Sequence, residues 1–315
     1  MTAVVIVNWN GRHFLDACLE AVFAQTAPPE LVVLVDNGST DGSVEHLRAR
    51  WPAVRVIALD RNAGVAAGNN VGIRAALGAG AELVLLLNSD AGMRPAVLGE
   101  LRSALNAAGE GAWAAAPKIV YQSDPDRIWS AGGAFDWWRG LSRDRGTGEP
   151  DRGQYDQPGD IDYSNTCCLL VRADAFARVG LMDEAYFMYC DDSDFSARIR
   201  RAGGRIRYAP SAEVLHDVQA SSGGTAARPS LLALYYTTRN RGRFIARNAP
   251  TAMHRLSAHT FTIISRFVRA AQAYLGGRGG EARLVLGALH DAYVRRETGV
   301  TRRRLTPTPR RDERA

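Results

Sequence analysis

The sequence predicts an α/β fold, in which a Rossmann-like, mixed but mostly parallel sheet is flanked by helices and followed by a helical C-terminal extension. Two observations predict it. Over about the first hundred residues, short apolar runs alternate with segments of helical periodicity, as in parallel strands joined by crossover helices. Beyond residue 229 the apolar runs stop and the remaining periodicity is helical.

The predicted elements follow one another closely in the first third of the chain. Apolar runs predict strands at Val4–Val7, Leu31–Val35, Val54–Leu59 and Leu83–Leu87. Helical spacing predicts helices at Phe14–Gln25, Ser43–Arg50 and Ala66–Leu77. Because Leu31–Val35 consists only of Val and Leu, we expect this strand to be buried on both faces.

The pattern is looser in the middle of the chain and regular again after it. Residues 117–159 are rich in Trp, Gly and Asp, which predicts an insertion of mobile loops and short strands. Further strands are predicted at Asn165–Arg172, Arg205–Tyr208 and Ala212–Leu215. Further helices are predicted at Ala173–Val179, Asp192–Arg201, Leu231–Arg247 and Thr260–Tyr274.

Composition indicates a globular protein without a membrane-spanning helix. Of the 315 residues, 46% are hydrophobic and 23% are charged, and no uncharged apolar run approaches the length of a transmembrane helix. No basic segment precedes the first strand, which favours a cytoplasmic location. The four cysteines lack Cys-x-x-Cys spacing, so we expect free thiols in a reducing compartment.

The net charge of +6 is concentrated in arginines near the C-terminus. Such a tail is typical of contact with nucleic acid or an anionic membrane, but it is equally typical of a solvated tail. We divide the chain into an α/β domain at residues 1–228, a helical region at 229–300 and a basic, disordered tail at 301–315.

Three predicted strands end directly in polar clusters, namely Asn8-Trp9-Asn10-Gly11, Asp36-Asn37-Gly38-Ser39 and Asn88-Ser89-Asp90. The carboxyl ends of parallel strands meet at one edge of a sheet, where ligands bind in this class of fold. One such cluster is usually a turn, whereas three at equivalent ends predict a site.

Each cluster has a chemical interpretation and a plainer one. The Asp36 carboxylate could accept a hydrogen bond from a nucleobase, or it could cap the following helix in an Asx-type turn. The oxygens of Asn88, Ser89 and Asp90 suit Mg²⁺ or Mn²⁺, but the same residues could form a turn.

Small residues are frequent between Asn62 and Asn70, where a backbone could approach a ligand closely and a helix N-terminus could face an anion. The Gly-Lys-Ser/Thr ending of a phosphate-binding loop and the Gly-x-Gly-x-x-Gly pattern are both absent from this segment. Their absence weighs against kinases and dehydrogenases.

The strongest local signal is the acidic segment Asp191-Asp192-Ser193-Asp194. Three carboxylates in four positions repel one another unless a metal, a basic partner or a raised pKa relieves the repulsion. Capping the following helix is the alternative, although one acid would suffice for it. His216 follows a predicted strand and is either a ligand or an ordinary core or surface histidine.

Taken in order, these segments resemble the family 2 glycosyltransferases of the GT-A fold, and among them the rhamnosyltransferase-like members. The resemblance covers roughly residues 3 to 247 and is carried by the strand-end clusters, the 62–70 segment and the acidic segment. Tyr235-Tyr236 with Arg239-Asn240 is similar to a pattern common near the C-terminus of the family. Asn88 stands where the family's Asp-x-Asp motif has its first acid, and Asp191 stands where its Glu-Asp-x-Asp motif has Glu.

The resemblance implies an inverting, metal-dependent enzyme that transfers a sugar from a dTDP- or UDP-linked donor to a glycan or lipid-linked acceptor. Asp192 would be the catalytic base beside Asp191, and Asp90 with His216 would hold Mn²⁺ or Mg²⁺. Acceptor contacts would involve Trp129 and Asp194. Donor contacts would come from Val7, Asn8, Trp9, Asp36, Asn62, Gly64, Asn69, Asn88 and Ser89.

Several alternatives stay open. A dTDP-rhamnose donor is favoured, but UDP-hexoses and UDP-galactofuranose also fit. Trp129, Trp137 and Trp138 could be acceptor platforms or core residues. The C-terminal helix with Ile263, Ile264, Phe267, Ala271 and Tyr274 could contact the inner face of a membrane, a second subunit or the catalytic domain. Nucleic acid is not an expected partner. A non-catalytic binding protein and a nucleotidyltransferase are the rival functions.

Overall fold

The structure is a computed structural model that describes residues 1–217, 230–296 and 298–299. Its strands are β1 (Thr2–Asn8), β2 (Leu31–Asp36), β3 (Arg55–Ala58), β4 (Leu83–Asn88), β5 (Ala91–Met93), β6 (Ala112–Tyr121), β7 (Asp124–Ser130), β8 (Gly133–Asp136), β9 (Leu141–Asp144), β10 (Gly159–Ile161), β11 (Cys168–Arg172) and β12 (Arg205–His216). Its α-helices are α1 (Arg12–Phe23), α2 (Ser43–Arg50), α3 (Val65–Gly78), α4 (Val97–Ala107), α5 (Ala173–Val179), α6 (Asp191–Arg201), α7 (Leu231–Asn248), α8 (Ala252–Leu275) and α9 (Gly279–His290).

One large sheet organises the first two thirds of the chain. Its strand order is β10-β12-β6-β11-β4-β1-β2-β3, with β5 paired to β12 and β7 paired to β6. The pairs β1–β2, β1–β4, β2–β3 and β6–β12 are parallel, whereas β11 runs antiparallel between β4 and β6. The predicted mixed, mostly parallel sheet is therefore confirmed.

Alternate residues of β1 point into two separate hydrophobic cores. Val4 and Ile6 pack with apolar residues of α1, α2 and α4 on one face of the sheet. Ala3 and Val5 pack with residues of α3, α5 and α6 on the other face. Because both faces are covered, the central strands are apolar at almost every position, as we expected from the sequence.

The middle of the chain is more regular than its composition predicts. The predicted insertion at residues 117–159 includes the end of β6, the strands β7 to β9 and part of β10. The two strands predicted at 205–208 and 212–215 form one strand, β12, with a register shift between Ala209 and Glu213. Helices α4 and α9 and strands β5 and β6 were not predicted. Residues 112–116 are mostly alanine, which favours helices over strands.

The C-terminal helices form a layer against the α/β domain. Ser230 and Thr251 begin α7 and α8 by accepting hydrogen bonds from the backbone N–H groups of Ala233 and His254. The buried side chains of helix α8 are Ala258, Thr262, Ala270 and Ala273. The predicted boundary between residues 228 and 229, and the tail at 301–315, lie outside the described residues.

Candidate active site

At the carboxyl end of the sheet, β1 and β2 finish side by side, with Asn8 opposite Asp36. The Asn8 side-chain amide donates to Asp36 Oδ2 at 2.9 Å, and the Ser39 backbone N–H donates to Asp36 Oδ1 at 2.8 Å. Asp36 is only 1% exposed. Each carboxylate oxygen keeps a further lone pair, so Asp36 both organises this turn and retains the capacity to accept a donor N–H.

The side chain of Asn37 connects the Asp36 turn to a second turn. It donates to Asn62 Oδ1 at 3.2 Å and to the Gly64 carbonyl at 3.0 Å, and it accepts from the Ala63 N–H at 2.9 Å. The predicted residues Asn62 and Gly64 are therefore joined to the Asp36 turn. Asn37 itself was not singled out from the sequence.

Helix α3 begins at this edge and lies close against β1. A Cβ at Gly68 would come within 2.8 Å of Val7, and one at Gly72 within 2.2 Å of Val5. Asn69 is buried on the same helix. The side chain of Asn70 connects α3 to the segment between α5 and α6, because it donates to the Met182 carbonyl at 2.9 Å.

The third strand-end cluster lies against His216. His216 Nε2 lies 3.2 Å from Asp90 Oδ1, and both residues are buried. The other ring nitrogen of His216 is buried without a hydrogen-bond partner among the described residues. Asn88 and Ser89 are half-buried just before this pair.

Trp129 packs on His216 with the ring centroids 4.5 Å apart and the planes at 64°. The structure thus places Trp129 beside the proposed metal ligands. Trp137 instead stacks on Phe244 at 5.7 Å, and Trp138, which is 53% exposed, contacts the His254 ring.

The acidic segment forms the first turn of α6. Asp191, Asp192 and Asp194 all lie where the helix dipole favours negative charge. The preceding residue, Cys190, adopts a left-handed conformation and caps the helix without a side-chain hydrogen bond. The acids therefore do not serve as the N-cap.

Asp192 is half-buried and belongs to a polar cluster in which Tyr163, Ser193, Ser130 and Asn165 are buried. Its Oδ2 accepts from the Tyr163 hydroxyl at 3.1 Å, and its Oδ1 accepts from the Ser193 N–H at 2.6 Å. Nearby, Asp144 accepts from Ser130 at 2.5 Å and from Asn165 at 3.2 Å. Neither Tyr163 nor Asp144 was predicted, because no local pattern in the sequence indicates that β9 and Tyr163 converge on α6.

Burial and mutual repulsion raise the pKa values of these acids. Burial, and then the charge of Asp192, raise the pKa of Asp191 to about 8. Burial also raises the pKa of Asp192, against the hydrogen bonds from Ser193 and Tyr163. Burial raises the pKa of Asp144 to about 6, with a contribution from Asp192. Such shifts are typical of functional carboxylates.

Strand β7 connects the two halves of the site. Its consecutive residues Trp129 and Ser130 contact His216 and Asp144, respectively. In addition, Asp90 and Asp144 both raise the pKa of the buried Cys167 thiol, after the larger effect of its burial. The Asp90–His216 pair therefore lies beside the polar cluster that contains Asp144 and Asp192.

Asp194 has a different environment from its neighbours. It is fully buried, and its carboxylate accepts from Arg198 at 2.7 Å, from Asn248 at 2.8 Å and from Tyr186 at 3.2 Å. These contacts tie α6 to α7. The acceptor role predicted for Asp194 does not suit a carboxylate surrounded in this way, so we assign it a positioning role instead.

Helix α7 holds the loop that precedes the acidic segment. Asn240 donates to the carbonyl oxygens of Tyr186, Met188 and Tyr189 at 2.7–2.9 Å. Arg239 donates to the Tyr186 carbonyl at 2.9 Å. The pattern of Tyr235, Tyr236, Arg239 and Asn240 thus contains two residues that fix the entry to α6.

Comparison with known proteins identifies the family. Residues 3–178 match the model of the glycosyl transferase family 2. The chain belongs to this family. The glycosyltransferase function predicted from the sequence is therefore confirmed at the level of the family.

Two relatives from mycobacteria cover most of this glycosyltransferase. The N-acetylglucosaminyl-diphospho-decaprenol L-rhamnosyltransferase of Mycobacterium tuberculosis is 32% identical over 70% of this chain and 77% of its own length. The galactofuranosyltransferase GlfT1 of Mycolicibacterium smegmatis is 28% identical over 78% of this chain and 83% of its own length.

Solved structures show the same GT-A fold. Residues 1–349 of TarS from S. aureus superpose with a TM-score of 0.58 and 16% identity, covering 94% of this chain and 81% of that one. GalNAc-T7 with UDP, GalNAc and Mn²⁺ superposes with a TM-score of 0.56 and 17% identity, covering 79% of this chain. This chain spans only 51% of GalNAc-T7.

Residues 1–217, 230–296 and 298–299 contain no group of three or more His, Cys, Asp or Glu side chains placed to hold a metal ion. The same residues contain no helix of the length and apolarity needed to cross a membrane. Asp90 and His216 therefore form a candidate metal site with two protein ligands.

Proposed function

We propose that this glycosyltransferase moves a sugar, with inversion, from a nucleoside diphosphate donor to a hydroxyl of a lipid-linked or glycan acceptor. The observation that carries the proposal is that β7 contacts both His216 of the Asp90–His216 pair and Asp144, on which the charge of Asp192 acts. The Asp90–His216 pair therefore adjoins the buried Asp191 and the half-buried Asp192. The first pair suits the diphosphate side of the reaction, and the second suits proton removal from the acceptor.

The donor half is proposed for the edge formed by β1, β2 and α3. Asp36 would accept the N3–H of a pyrimidine, and the backbone from Val7 to Trp9 would lie along the base. Asn62, Gly64 and Asn69 would line the ribose and phosphate positions. The hydrogen bonds of Asn8 and Asn37 hold these turns together, which supports a preorganised nucleotide site.

The side chains of Asp90 and His216 are chemically suited to hold a divalent metal ion. A carboxylate oxygen and an imidazole nitrogen are both ligands of Mn²⁺, and the carboxylate also suits Mg²⁺. The second ring nitrogen of His216 has no hydrogen-bond partner among the described residues. A divalent ion held there with Asn88 and Ser89 nearby would supply charge neutralisation for the departing nucleoside diphosphate.

Asp192 is proposed as the general base. Its raised pKa favours acceptance of a proton, and the hydrogen bonds from Tyr163 and Ser193 fix the carboxylate. The acceptor hydroxyl would lose its proton to Asp192 as its oxygen attacks the anomeric carbon from the face opposite the leaving diphosphate. One direct displacement inverts that carbon. Asp191, whose pKa is raised to about 8 by burial and then by the charge of Asp192, would be neutral beside this base.

The proposed donor is dTDP-L-rhamnose, with UDP-galactofuranose as the second candidate. The two mycobacterial relatives are named for transfer of rhamnose and galactofuranose. By the same comparison, the proposed acceptor is a sugar linked through a diphosphate to a polyprenol. Trp129, half-buried beside His216, is placed where it could pack on a sugar ring.

Helix α8 supports membrane contact. Ile264, Phe267 and Tyr274 are 59%, 55% and 72% exposed, so packing of this face against the catalytic domain is not what the structure shows. The exposed apolar side chains recur at helical spacing and would lie in a lipid interface. A second copy of the chain is the alternative partner for this face of α8. Liposome flotation detects binding to lipid, and analytical ultracentrifugation detects a dimer. The predicted cytoplasmic location stays a prediction.

The testing experiment is a donor screen with purified protein. Binding and slow hydrolysis are measured for dTDP-rhamnose, UDP-galactofuranose, UDP-glucose, UDP-galactose and GDP-mannose, with Mn²⁺ and with EDTA. We expect metal-dependent binding of one donor and release of a nucleoside diphosphate. Pyrophosphate release would instead indicate a nucleotidyltransferase. Absence of any response in correctly folded protein would favour a non-catalytic member of the family.

A further inference from the structure

Three arginines meet between α7 and α8 close to the entry of α6. Arg241 on α7 is only 5% exposed, and Arg266 and Arg269 lie one turn apart on α8. The Nε atoms of all three are buried without a hydrogen-bond partner among the described residues. We call Arg241, Arg266 and Arg269 the arginine cluster.

The charge of the arginine cluster is poorly balanced by the described residues. Within the described part of the chain, only Arg269 of the cluster forms an ion pair, with Glu281 at 3.0 Å, and Glu281 is shared with Arg278. The charge of Asp136 acts on Arg241 without an ion pair. Burial, and then the charge of Arg266, lower the pKa of Arg241 to about 10. Burial and Arg269 likewise lower the pKa of Arg266. Buried like charges are costly unless an anion compensates them.

The cluster lies near Cys190, which directly precedes the acidic segment. Arg241 interacts electrostatically with the thiol of Cys190, the residue directly before Asp191, and so does Arg266. A ligand phosphate held by these guanidinium groups would therefore be close to the start of α6.

The cluster also adjoins the exposed apolar face of α8. The guanidinium groups of Arg139 and Arg241 lie 5.6 and 5.4 Å from the ring centroid of Phe261. Phe261 is 37% exposed and Ile264, one turn farther along, is 59% exposed. The arginine cluster thus borders an apolar surface on one side and the start of α6 on the other.

We infer that Arg241 and Arg266 bind the diphosphate of the lipid-linked acceptor, while the apolar face of α8 accommodates the first part of its lipid. This inference rests on the proposed function and adds the subsite that would select a diphosphate-linked acceptor. Guanidinium groups suit phosphate because their planar forks donate two parallel hydrogen bonds. The order from Asp192 to arginine cluster to apolar face matches the order of sugar, diphosphate and lipid in such an acceptor.

The test uses the full-length protein and geranyl diphosphate as the probe, with geraniol as the matched ligand without phosphate. Binding is measured by calorimetry in the presence of Mn²⁺, with and without saturating dTDP or UDP. The nucleotide occupies the donor site and thereby separates acceptor-side from donor-side diphosphate binding. The variants are Arg266→Glu and the double variant Arg241→Gln/Arg266→Gln. Arg255→Gln, at an exposed position of α8, is the control.

We expect geranyl diphosphate to bind the wild type more tightly than geraniol whether or not nucleotide is present. Both cluster variants should lose about tenfold or more of that affinity, whereas Arg255→Gln should retain it. Arg266→Glu should also keep or raise the melting temperature, because the new carboxylate would pair with Arg241 and Arg269. If Arg266 served only to stabilise the fold, Arg266→Glu would lower the melting temperature.

Three results would overturn the inference. The wild type could bind both probes equally, nucleotide could abolish binding of the diphosphate, or the cluster variants could bind it as tightly as the wild type. Failure of the proposed function has a different signature, since the nucleotide itself would then not bind in the presence of Mn²⁺.

Discussion

Asn240 donates its side-chain amide to the backbone carbonyl of Tyr186 at 2.8 Å, and the same amide contacts the carbonyls of Met188 and Tyr189. The loop it holds contains three non-glycine residues with positive φ, namely Phe187, Tyr189 and Cys190. Such conformations are costly and persist only where neighbouring structure enforces them. Asn240 is therefore a positioning residue that sets where Asp191 and Asp192 enter the site.

Replacing Asn240 with Leu should reduce both stability and turnover. The change leaves buried carbonyl groups without their donor, at about 1–3 kcal/mol for a lost buried hydrogen bond, and it releases the strained loop. We expect a lower melting temperature and a fall in kcat that exceeds the change in donor Kd. Thermal melts and donor titrations measure the two effects.

Asn106→Leu, at an exposed position of α4, is the matched control and should alter neither quantity. If Asn240→Leu lowered the melting temperature while kcat stayed at the wild-type level, the loop would not position the catalytic acids.

Asp192→Asn should abolish transfer and leave donor binding almost unchanged. Loss of a general base costs about 10²–10⁴-fold in rate, whereas the donor is proposed to bind at the opposite pair, Asp90 and His216. Turnover assays and donor titration check this. Near-wild-type turnover would remove Asp192 from the role of base.

Asp191→Asn is the informative neighbour of that variant. Burial and then the charge of Asp192 raise the pKa of Asp191 to about 8, so Asp192 ionises first and Asp191 is neutral while it does. The acidic limb of the kcat/KM profile, which reports ionisation of Asp192, should therefore stay in place in Asp191→Asn. A shift of that limb to lower pH would show that Asp191 carries a charge while Asp192 titrates.

Asp144→Asn should stabilise the protein at pH 8 and have little effect at pH 4. The pKa of Asp144 is raised from 3.8 to about 6, chiefly by burial. The folded state therefore binds this proton more tightly than the unfolded chain. The resulting stability is complete below about pH 4 and is lost as the pH rises through 6.

An asparagine keeps the acceptor for Ser130 without the buried charge, so it should mimic the protonated acid at both pH values. Melting temperatures at pH 4 and pH 8 measure the difference. Asp126→Asn, at an exposed position of β7, should show no such pH dependence. A larger gain at pH 4 than at pH 8 would contradict the expected sign.

His216→Gln should weaken Mn²⁺ binding and make donor binding insensitive to EDTA. The imidazole is the only proposed ligand besides Asp90, and glutamine offers a weaker donor atom for Mn²⁺. Electron paramagnetic resonance reports free and bound Mn²⁺ without any donor present. His46→Gln on α2, where His46 contacts Asp16 at 2.9 Å, is the control. Equal Mn²⁺ affinity in His216→Gln and wild type would place the metal elsewhere.

The sequence predicted the sheet and the strand-end clusters because both are local patterns. Val4–Val7 and Leu31–Val35 are apolar at every position, which predicts buried parallel strands. Strand β6 was missed since its segment Ala112–Ala116 has weak strand propensity and is a strand only because β11 and β12 flank it.

The same distinction applies to the site. Asp90 and His216 were found through motif and resemblance, although they are far apart in sequence. Asp144 and Tyr163 could not be found, because neither belongs to a recognisable segment and their relation to Asp192 depends on how β9 folds over α6. The surroundings of Asp194 were likewise only partly predictable. Arg198 lies one turn farther along the same helix, whereas the contact with Asn248 forms only when α7 packs on α6.

Gly64→Ala should be strongly destabilising, while Gly78→Ala on the same helix should be neutral or stabilising. Gly64 precedes α3 with φ of +97°, and a Cβ there would lie 2.4 Å from the Phe187 carbonyl oxygen. Gly78 ends α3 with nothing within 4 Å of its Cβ position. Alanine in a helix is favoured over glycine by about 0.5–1 kcal/mol.

The comparison isolates the contact between the donor-side turn and the catalytic loop. The Phe187 carbonyl also accepts the Val65 N–H at 2.7 Å, so a Cβ at residue 64 would push apart the two segments to which we assign donor binding and the general base. Chemical denaturation measures both variants, and donor affinity should fall only in Gly64→Ala. If Gly64→Ala were as stable as the wild type, the two segments could separate without cost, and the site would not be preorganised at this contact.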